Sequence, residues 1–325
     1  MLCYNIRVME KTEDYELLDS GDGRKLERFG RVTLARPCAQ ALWRPSNPAL
    51  WTRATASFDR EAGNRWHGRS ALPKDWTIST AGLRFKLGGT DFGHLGIFPE
   101  QRAQWRWIRE KVKGERGEGC EGGEGCERGE GCEGVKERSI SSPLPPSPPS
   151  PPSPPSHFRL QVLNLFAYSG GSTIAAAQGG AEVCHLDAAK GMVQWARENA
   201  ALNGLADHPI RWIADDAHKF MAREVRRGRR YDAIILDPPT FGHGASGETY
   251  KIERDLKTTL DLTRQLLSER PAFVLFSSHS PGLSCRVAEN ILGQLFPQAT
   301  LESGEMLLEG KGLSCPSGIF CRAVF

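Results

Sequence analysis

The feature that most constrains the fold is a regular alternation of apolar and amphipathic runs after residue 156. Short apolar runs suited to β-strands begin at Gln161, Ala181, Ile210, Tyr231 and Ala272. Helix-like runs separate them, and the clearest spans residues 190–205, with apolar residues along one stripe. Strand-helix repetition is typical of a parallel sheet that is covered by helices on both faces. The sequence therefore predicts an α/β domain over residues 157–325.

The first 92 residues have a different texture and predict a small β-rich module. Their apolar runs are short and punctuated by turns. In one pair of runs, residues 76–80 and 83–87, apolar and polar residues alternate on either side of Ala81-Gly82, which predicts a β-hairpin. Residues 93–112 form a connecting segment, and a helix is expected over residues 102–113, with Pro99 near its first turn.

Residues 113–156 are predicted to be a disordered low-complexity insert between these two parts. They consist of a Gly/Glu/Cys repeat followed by a Pro/Ser run, and neither composition can bury a core. Cys120, Cys126 and Cys132 are spaced by six rather than by the two to four residues usual between paired zinc ligands, so no metal site is predicted. An expanded loop is favoured over a ligand for proline-binding domains.

Composition excludes few function classes. The chain contains 25% charged and 39% apolar residues, a net charge of +3 and no apolar run long enough to span a bilayer, so no membrane partner is predicted. The N-terminus lacks the apolar segment of a signal peptide, and the nine cysteines are therefore expected in a reducing compartment. The cytoplasm is the predicted location, with an organelle as the alternative in a eukaryotic cell, and the oligomeric state stays open.

Candidate functional residues follow the predicted strands, because ligands of such sheets bind beyond the carboxyl ends of the strands. After the first strand comes a Gly170-Gly171 turn, where missing Cβ atoms would let a ligand approach the backbone and the next helix N-terminus could bind a carboxylate. The G-x-G-x-x-G pattern of dinucleotide-binding folds is missing here. An NAD-dependent oxidoreductase is therefore disfavoured.

Acidic residues follow the next three strands. Asp187 could accept the two hydroxyls of a ribose, and Asp216 could accept a hydrogen bond from an adenine amine, although each acid could equally be a helix N-cap. The fourth strand ends in Asp237-Pro238-Pro239. Two consecutive prolines fix the backbone and remove two donors, so the Asp237 carboxylate is expected to point over the sheet toward a ligand. These features together indicate a nucleoside-containing cofactor.

At these positions the sequence resembles the class I S-adenosylmethionine (SAM)-dependent methyltransferases, which have a Rossmann-like sheet. The closer resemblance is to bacterial-type large-subunit ribosomal RNA methyltransferases with a DPPxF motif, and HLGIFPEQR, NLFAYSGGST, HLDAAKGMVQWARENAALNGL, DDAHKF and ILDPPTFG carry it. The resemblance implies SAM as cofactor and RNA, ribosomal RNA above all, as substrate.

The resemblance further implies that Asp187 holds the ribose and that Asp216 reaches the adenine. It implies a methionine-binding segment composed of Phe166, Ala167, Tyr168, Ser169, Gly170 and Gly171. It implies a catalytic group that faces the substrate base and comprises Asp237, Pro238, Pro239 and Phe241.

One departure from this pattern bears on the methylated atom. Family members that methylate cytosine at C5 need a cysteine thiolate, which lies in a Ser-Cys-Ser-like run after the fifth strand. Here residues 277–280 read Ser-Ser-His-Ser, and Cys285 comes later. Direct methylation of a nitrogen is therefore favoured over C5 methylation with a relocated cysteine.

A non-catalytic RNA-binding protein with this fold is the other alternative. Arginine and tryptophan interleave before the insert, as at Trp43-Arg44 and Trp105-Arg106-Trp107, which suits base stacking and phosphate contact. Tryptophans of a small β module are, however, more often part of its core. These tryptophans alone therefore do not favour that alternative.

Overall fold

The computed structural model describes residues 13–61, 63–117, 159–243, 247, 249–310 and 312–325. Residues 118–156 of the predicted insert, with its three repeat cysteines, lie outside this range. Among the described residues, no helix has both the length and the apolar character needed to cross a membrane.

The N-terminal module is β-rich, as predicted. Its sheet has the order β1-β2-β3-β4-β5, and only β3 and β4 pair in parallel. A single turn of helix, α1 (Pro48–Trp51), precedes β4. The five strands are β1 (Tyr15–Gly21), β2 (Arg24–Phe29), β3 (Val32–Pro37), β4 (Ala56–Asp59) and β5 (Arg65–His67).

The predicted hairpin is present, with β6 (Trp76–Thr80) antiparallel to β7 (Leu83–Leu87). Its two-residue turn places Ala81 and Gly82 at φ of 50° and 76°, the left-handed pair of a tight hairpin turn. Apolar side chains on one face are buried while the alternating polar ones face outward. The period-two pattern therefore predicted both the pairing and the buried face.

The connecting segment contains a 3₁₀ turn (Pro99–Gln101) followed by helix α2 (Arg102–Gly117). The helix continues past its predicted end at residue 113, so its last turn falls within the stretch assigned to the insert. The longer helix has an electrostatic reason, because Lys111 forms an i,i+4 ion pair of 2.7 Å with Glu115 beyond the predicted end.

The C-terminal domain is a seven-stranded sheet in the order β10-β9-β8-β11-β14-β16-β15. Its first five members are parallel and correspond to the five predicted strands, while β16 runs antiparallel to both of its neighbours. The sequence reasoning had not identified β15 and β16. The strands are β8 (Gln161–Leu165), β9 (Glu182–Asp187), β10 (Ile210–Ala214), β11 (Ala233–Leu236), β14 (Phe273–Ser278), β15 (Thr300–Leu308) and β16 (Cys315–Val324).

Helices cover both faces of this sheet, and each face has its own buried apolar cluster. A short hairpin of β12 (Phe241–His243) and β13 (Thr249–Lys251) follows β11. Strand order reverses between β8 and β11, which is where a ligand crevice is expected in a doubly wound sheet. The helices are α3 (Gly171–Gly179), α4 (Lys190–Leu202), α5 (Ala217–Arg226), α6 (Ile252–Leu266) and α7 (Cys285–Leu295).

Two asparagine side chains, Asn199 in α4 and Asn203 just after it, join the two domains. The edge strand β7 donates its Lys86 N–H to Asn199 Oδ1 at 2.8 Å and its Arg84 N–H to Asn203 Oδ1 at 2.9 Å. A second junction brings the Sγ atoms of Cys38 and Cys315 to 2.9 Å. Both thiols are free, as are the other cysteines among the described residues. The module is therefore attached through specific polar contacts as well as apolar packing.

Candidate functional site

The carboxyl ends of β8, β9, β10, β11 and β14 meet at one cavity of about 630 Å³. Its lining includes at least one residue after each of these strands. The candidate residues that the sequence placed at four separate strand ends thus share one cavity. Those that line it are Phe166, Tyr168, Asp187, Asp216, Asp237 and Pro239.

The turn after β8 adopts an unusual backbone conformation next to an acid. Phe166 and Tyr168 have positive φ values of 56° and 48°, which non-glycine residues adopt rarely. The Tyr168 N–H donates to Asp187 Oδ2 at 2.9 Å, and the Ala189 N–H donates to Oδ1 at 2.9 Å. Burial raises the pKa of Asp187 despite these two hydrogen bonds. The carboxylate is thereby held at a defined angle over the sheet.

A small extension of about 40 Å³ continues from the main cavity toward the start of α3. Its lining adds Ala167, Ser169 and Gly171 to residues that it shares with the main cavity. Ser169 is buried and its hydroxyl donates to the Gly96 carbonyl at 2.6 Å. The whole predicted methionine-binding segment therefore lies at or next to the cavity.

The two glycines of this segment have a different physical role from the expected one. A Cβ atom on Gly171 would lie 2.7 Å from the Trp105 ring, and one on Gly170 would lie 3.0 Å from the Ala196 Cβ. Gly170 also has a φ of 89°, which favours glycine. The expectation that the missing Cβ atoms clear space for a ligand is wrong, because protein side chains fill that space. The glycines instead allow α3 to begin at the cavity.

The acids after β10 stabilise the start of α5. Asp216 is the N-cap, and its Oδ1 accepts the Lys219 N–H at 2.9 Å. Asp215 forms an ion pair with Arg223. Both carboxylates also line the cavity. The N-cap alternative is thus correct for Asp216, and it is compatible with a position facing a ligand.

The rigid tip of β11 places Asp237 at the centre of a polar network. Gln101 donates its Nε2 to Asp237 Oδ2 and to Ser277 Oγ, both at 3.1 Å. Asp237 Oδ1 is buried and makes no hydrogen bond to a described residue. Pro238 is buried, whereas Phe241 is 49% exposed beyond the tip. Of the predicted catalytic group, Asp237 and Pro239 therefore line the cavity, whereas Pro238 and Phe241 do not.

Sequence reasoning missed two charged residues of the site, Glu100 and His279. The His279 Nε2 lies 3.2 Å from Glu100 Oε1, and its Nδ1 lies 3.6 Å from Asp237 Oδ1. Burial alone would lower the pKa of His279, but the charge of Asp237 and the charge and hydrogen bond of Glu100 raise it to about 10. Both residues lay within quoted motifs, HLGIFPEQR and Ser-Ser-His-Ser, yet their separation of 179 positions concealed the contact.

The mouth of the cavity is formed by the N-terminal module. Lys25, Arg36 and Arg60 line it together with Phe92, which is 69% exposed. Arg36 is anchored by an ion pair of 2.6 Å with the buried Glu27. Cationic and aromatic side chains at a cavity mouth suit an anionic ligand with planar rings.

The tryptophans proposed for base stacking are used in packing instead. Trp105 is buried, and Trp43 and Trp107 pack against the same apolar cluster. The Trp43 Nε1–H donates to the Ser20 carbonyl at 2.9 Å. These residues therefore give no support to a separate RNA-binding surface made of tryptophan and arginine.

Comparison with known proteins identifies the family. A crystal structure of the SAM-dependent methyltransferase from Agrobacterium tumefaciens superposes with a TM-score of 0.78 and 33% sequence identity, and the match covers 96% of this chain and 91% of that one. This chain belongs to the SAM-dependent methyltransferases. A family model described as S-adenosylmethionine-dependent methyltransferase matches residues 157–269. SAM is thus the cofactor of this enzyme.

Curated relatives share less of their length with this methyltransferase. The ribosomal RNA large subunit methyltransferase K/L of Shewanella baltica is 27% identical over 82% of this chain and 31% of its own length. The ribosomal RNA large subunit methyltransferase I of Aeromonas salmonicida is 30% identical over 50% of this chain and 43% of its own length. The chain therefore spans between about a third and two fifths of these relatives.

The cavity of the methyltransferase fits SAM chemically. SAM offers hydrogen-bond donors in its ribose hydroxyls, adenine amine and ammonium group, and the cavity is rich in carboxylate acceptors. One of them, the Asp187 carboxylate, accepts a single backbone N–H on each oxygen and keeps further lone pairs for the donors of a ribose. The residues present therefore match the cofactor that the family uses.

Proposed function

We propose that this methyltransferase transfers a methyl group to a nucleobase nitrogen in RNA, with large-subunit ribosomal RNA as its substrate. The main support is the composition of the cavity, whose floor is acidic and whose mouth is cationic and aromatic. An acidic floor suits the donors of SAM and of a base, whereas cations at the mouth suit phosphates. The names of the Shewanella and Aeromonas relatives, both ribosomal RNA large subunit methyltransferases, point to the same substrate class.

For SAM we assign the segments that surround the first three strand tips. Asp187 would accept the ribose hydroxyls with the lone pairs not used by its two backbone donors. Asp216 would accept the adenine amine. The segment of residues 166–171 would enclose the methionine part, with its carboxylate near the first N–H groups of α3. This assignment uses every predicted cofactor-binding residue.

For the acceptor base we assign the tip of β11. SAM supplies an electrophilic methyl group on a sulfonium. The lone pair of the base nitrogen would take that methyl group, leaving the electron pair of the C–S bond on sulfur. Asp237 would accept a hydrogen bond from the acceptor N–H, take up its proton as the C–N bond forms, and release the proton to water. Pro238 and Pro239 would hold that carboxylate in place, and Phe241 would contact the base at the mouth.

Direct transfer fits the absence of a nucleophile near this tip. None of the described residues that line the cavity is a cysteine. Cys285 begins α7 and packs against the apolar cluster on that face of the sheet. No covalent enzyme-base adduct is therefore expected.

The mouth would hold the RNA. Arg60 is exposed and would supply the cation for phosphates, whereas Lys25 and Arg36 are largely buried and paired with the Glu27 carboxylate. Phe92 offers an exposed ring for base stacking. Such an enzyme would work where ribosomes are made, in the cytoplasm or in an organelle that has its own ribosomes.

The deciding experiment incubates the protein with methyl-labelled SAM and with unmodified large-subunit ribosomal RNA, total protein and small-molecule fractions in parallel. Mass spectrometry of the digested products should show a labelled N-methyl nucleoside from the RNA arm alone. Label in the protein or small-molecule arm would exclude RNA as the substrate. SAM binding without label in any arm would favour a non-catalytic protein.

A further inference from the structure

Three charged side chains from separate parts of the chain form a row along the cavity floor. Glu100 lies in the 3₁₀ turn before α2, His279 follows β14, and Asp237 follows β11. The imidazole stands between the carboxylates, with its two nitrogens 3.2 Å and 3.6 Å from the facing oxygens. We call this set the acid-histidine-acid row.

The row runs from a buried end at Glu100 to a partly exposed end at His279 and Asp237. Glu100 is buried, and the His279 side chain is 33% exposed. The Phe98 ring packs on the imidazole with 5.5 Å between ring centroids. Gln101 fixes Asp237 from the other side by donating to its Oδ2. Such an arrangement restricts the rotation of both carboxylates.

The charge state of the histidine excludes one obvious role. With a pKa raised to about 10, His279 carries its proton at neutral pH and cannot serve as a general base there. Glu100 is charged as well, because its hydrogen bond to His279, the charge of Lys25 and the charge of His279 outweigh burial and lower its pKa to about 2. The row therefore contains a cation between two anions.

Two other ionisable side chains, His94 and Lys25, lie near the row. His94 lines the same cavity, and burial followed by the charges of Arg36 and Arg60 lowers its pKa, so His94 is neutral beside the row. Lys25 stabilises the Glu100 carboxylate. No other titratable group among the described residues is within ion-pair distance of His279.

We propose that His279 is a positioning residue, which uses its anchor on Glu100 to hold the Asp237 carboxylate turned toward the acceptor nitrogen. This inference rests on the proposed function, since it assigns Asp237 to the acceptor. His279 satisfies one side of the carboxylate without donating a proton to the substrate. Asp237 Oδ1 then has an acceptor position left for the N–H of a base. The row accordingly selects acceptor nitrogens that carry a proton.

Removal of the cation should have a specific kinetic signature. In His279→Gln, the buried Glu100 loses the hydrogen bond and the positive charge of His279 that lower its pKa, so its carboxylate is protonated at higher pH. We follow the acid limb of the plot of kcat against pH, where the rate falls as the pH decreases. On in vitro transcribed large-subunit ribosomal RNA, this limb should move up by about one pH unit or more. We expect kcat to fall about tenfold or more at neutral pH, while SAM affinity changes less than about threefold.

His94→Gln is the matched control. His94 also packs on Phe98, with 5.4 Å between ring centroids, but it holds no carboxylate. Its replacement can change the rate but should leave the acid limb where it is in the wild-type enzyme. An acid limb that moves equally in both variants, or in neither, would overturn the proposal.

A second measurement needs no RNA and covers the case in which His279→Gln fails to fold. Histidine NMR titration of the free enzyme should show one imidazole that stays protonated beyond pH 8, and Glu100→Gln should lower its midpoint by about one unit or more. Titration of every histidine near pH 6.5 would show that the row does not form. If the wild-type enzyme leaves RNA unlabelled, the proposed function fails, whereas the titration still decides whether the charged row exists.

Discussion

Asp187 illustrates how a single residue can serve both fold and ligand. Its two oxygens each accept one backbone N–H, from Tyr168 and Ala189, and these bonds orient the carboxylate at the tip of β9. A charged acceptor held in this way loses little entropy when a ligand donor arrives. The residue is therefore expected to contribute strongly to SAM binding.

Replacement of Asp187 by alanine tests this expectation. The change removes hydrogen bonds to a charged acceptor, so we expect SAM binding to weaken by about 1.5–3 kcal/mol. Isothermal titration calorimetry measures the difference, and the exposed Asp207→Ala is the control for a lost surface charge. Equal affinities for wild type and Asp187→Ala would refute the ribose assignment.

Asp237 belongs to the acceptor side of the site, and its replacement should separate catalysis from cofactor binding. In Asp237→Ala the acceptor loses its orienting group, so kcat should fall about 100-fold or more while SAM affinity changes little. Cys285→Ser should retain near wild-type turnover. Methyl-transfer kinetics on ribosomal RNA provide the readout. A covalent complex with 5-fluorocytosine RNA that Cys285→Ser abolishes would instead restore C5 methylation.

At the scale of elements, the contact between α2 and α3 depends on glycine. A Cβ on Gly179 would lie 2.7 Å from the Val112 Cβ and 3.1 Å from the Arg109 carbonyl. Neither neighbour is the flexible end of a long side chain, so the helices would have to separate. Close approach of these helices is what places the Gly171 end of α3 against Trp105 beside the cavity.

Two glycine-to-alanine variants in neighbouring helices should therefore shift stability in opposite directions. Gly179→Ala overpacks the helix contact and should lower the free energy of unfolding by about 1–3 kcal/mol. Gly191→Ala in α4 meets no atom within 4 Å and should raise it by about 0.4–1 kcal/mol, because alanine restricts the unfolded chain. Urea denaturation compares them. A gain in stability for Gly179→Ala would show that the contact between α2 and α3 can accommodate the added methyl group.

At the scale of the whole molecule, Asn199 connects the N-terminal module to the cofactor site. Its Oδ1 accepts the Lys86 N–H of β7 at 2.8 Å, and its Nδ2 donates to the Ser169 carbonyl at 2.9 Å. The residue is fully buried. A single amide thus links the hairpin to the segment that we assign to methionine binding.

Loss of this amide should affect stability and binding together. Asn199→Ala leaves the buried Ser169 carbonyl and the Lys86 N–H without their partner, which should cost about 1–3 kcal/mol. Thermal unfolding should shift downward, and SAM affinity should fall because the Ser169 turn loses a support. Gln194→Ala on the exposed face of the same helix should stay within about 0.5 kcal/mol of wild type. Unchanged SAM affinity in Asn199→Ala would show that the hairpin does not support the cofactor site.

The low-complexity insert is expected to be dispensable for both folding and cofactor binding. Residues 118–156 contain too little apolar surface to offset the entropy of ordering them. Their replacement by a short Gly/Ser linker should leave the melting temperature and the SAM dissociation constant nearly unchanged. A large decrease in the melting temperature, or a large increase in the dissociation constant, would mean that this segment packs on the enzyme.

Local sequence patterns determined much of the fold of this enzyme and the position of its candidate site. Apolar periodicity predicted the five parallel strands and the β6-β7 hairpin, because a period of two or of 3.6 depends only on nearby residues. The rule that ligands bind beyond strand ends predicted that the four strand tips would form one site. Recognition of the DPPxF motif added the family and the cofactor.

Tertiary structure alone decided how distant residues combine. Glu100 and His279 are 179 positions apart, and Gln101 and Asp237 are 136 apart, so no local period relates them. The role of Gly171 also depended on Trp105, which the packing of α2 brings against it. The charge of His279 follows from which carboxylates surround it, and a pKa is set by burial and neighbouring charges. Those neighbours exist only once the module, the connecting turn and the sheet have packed together.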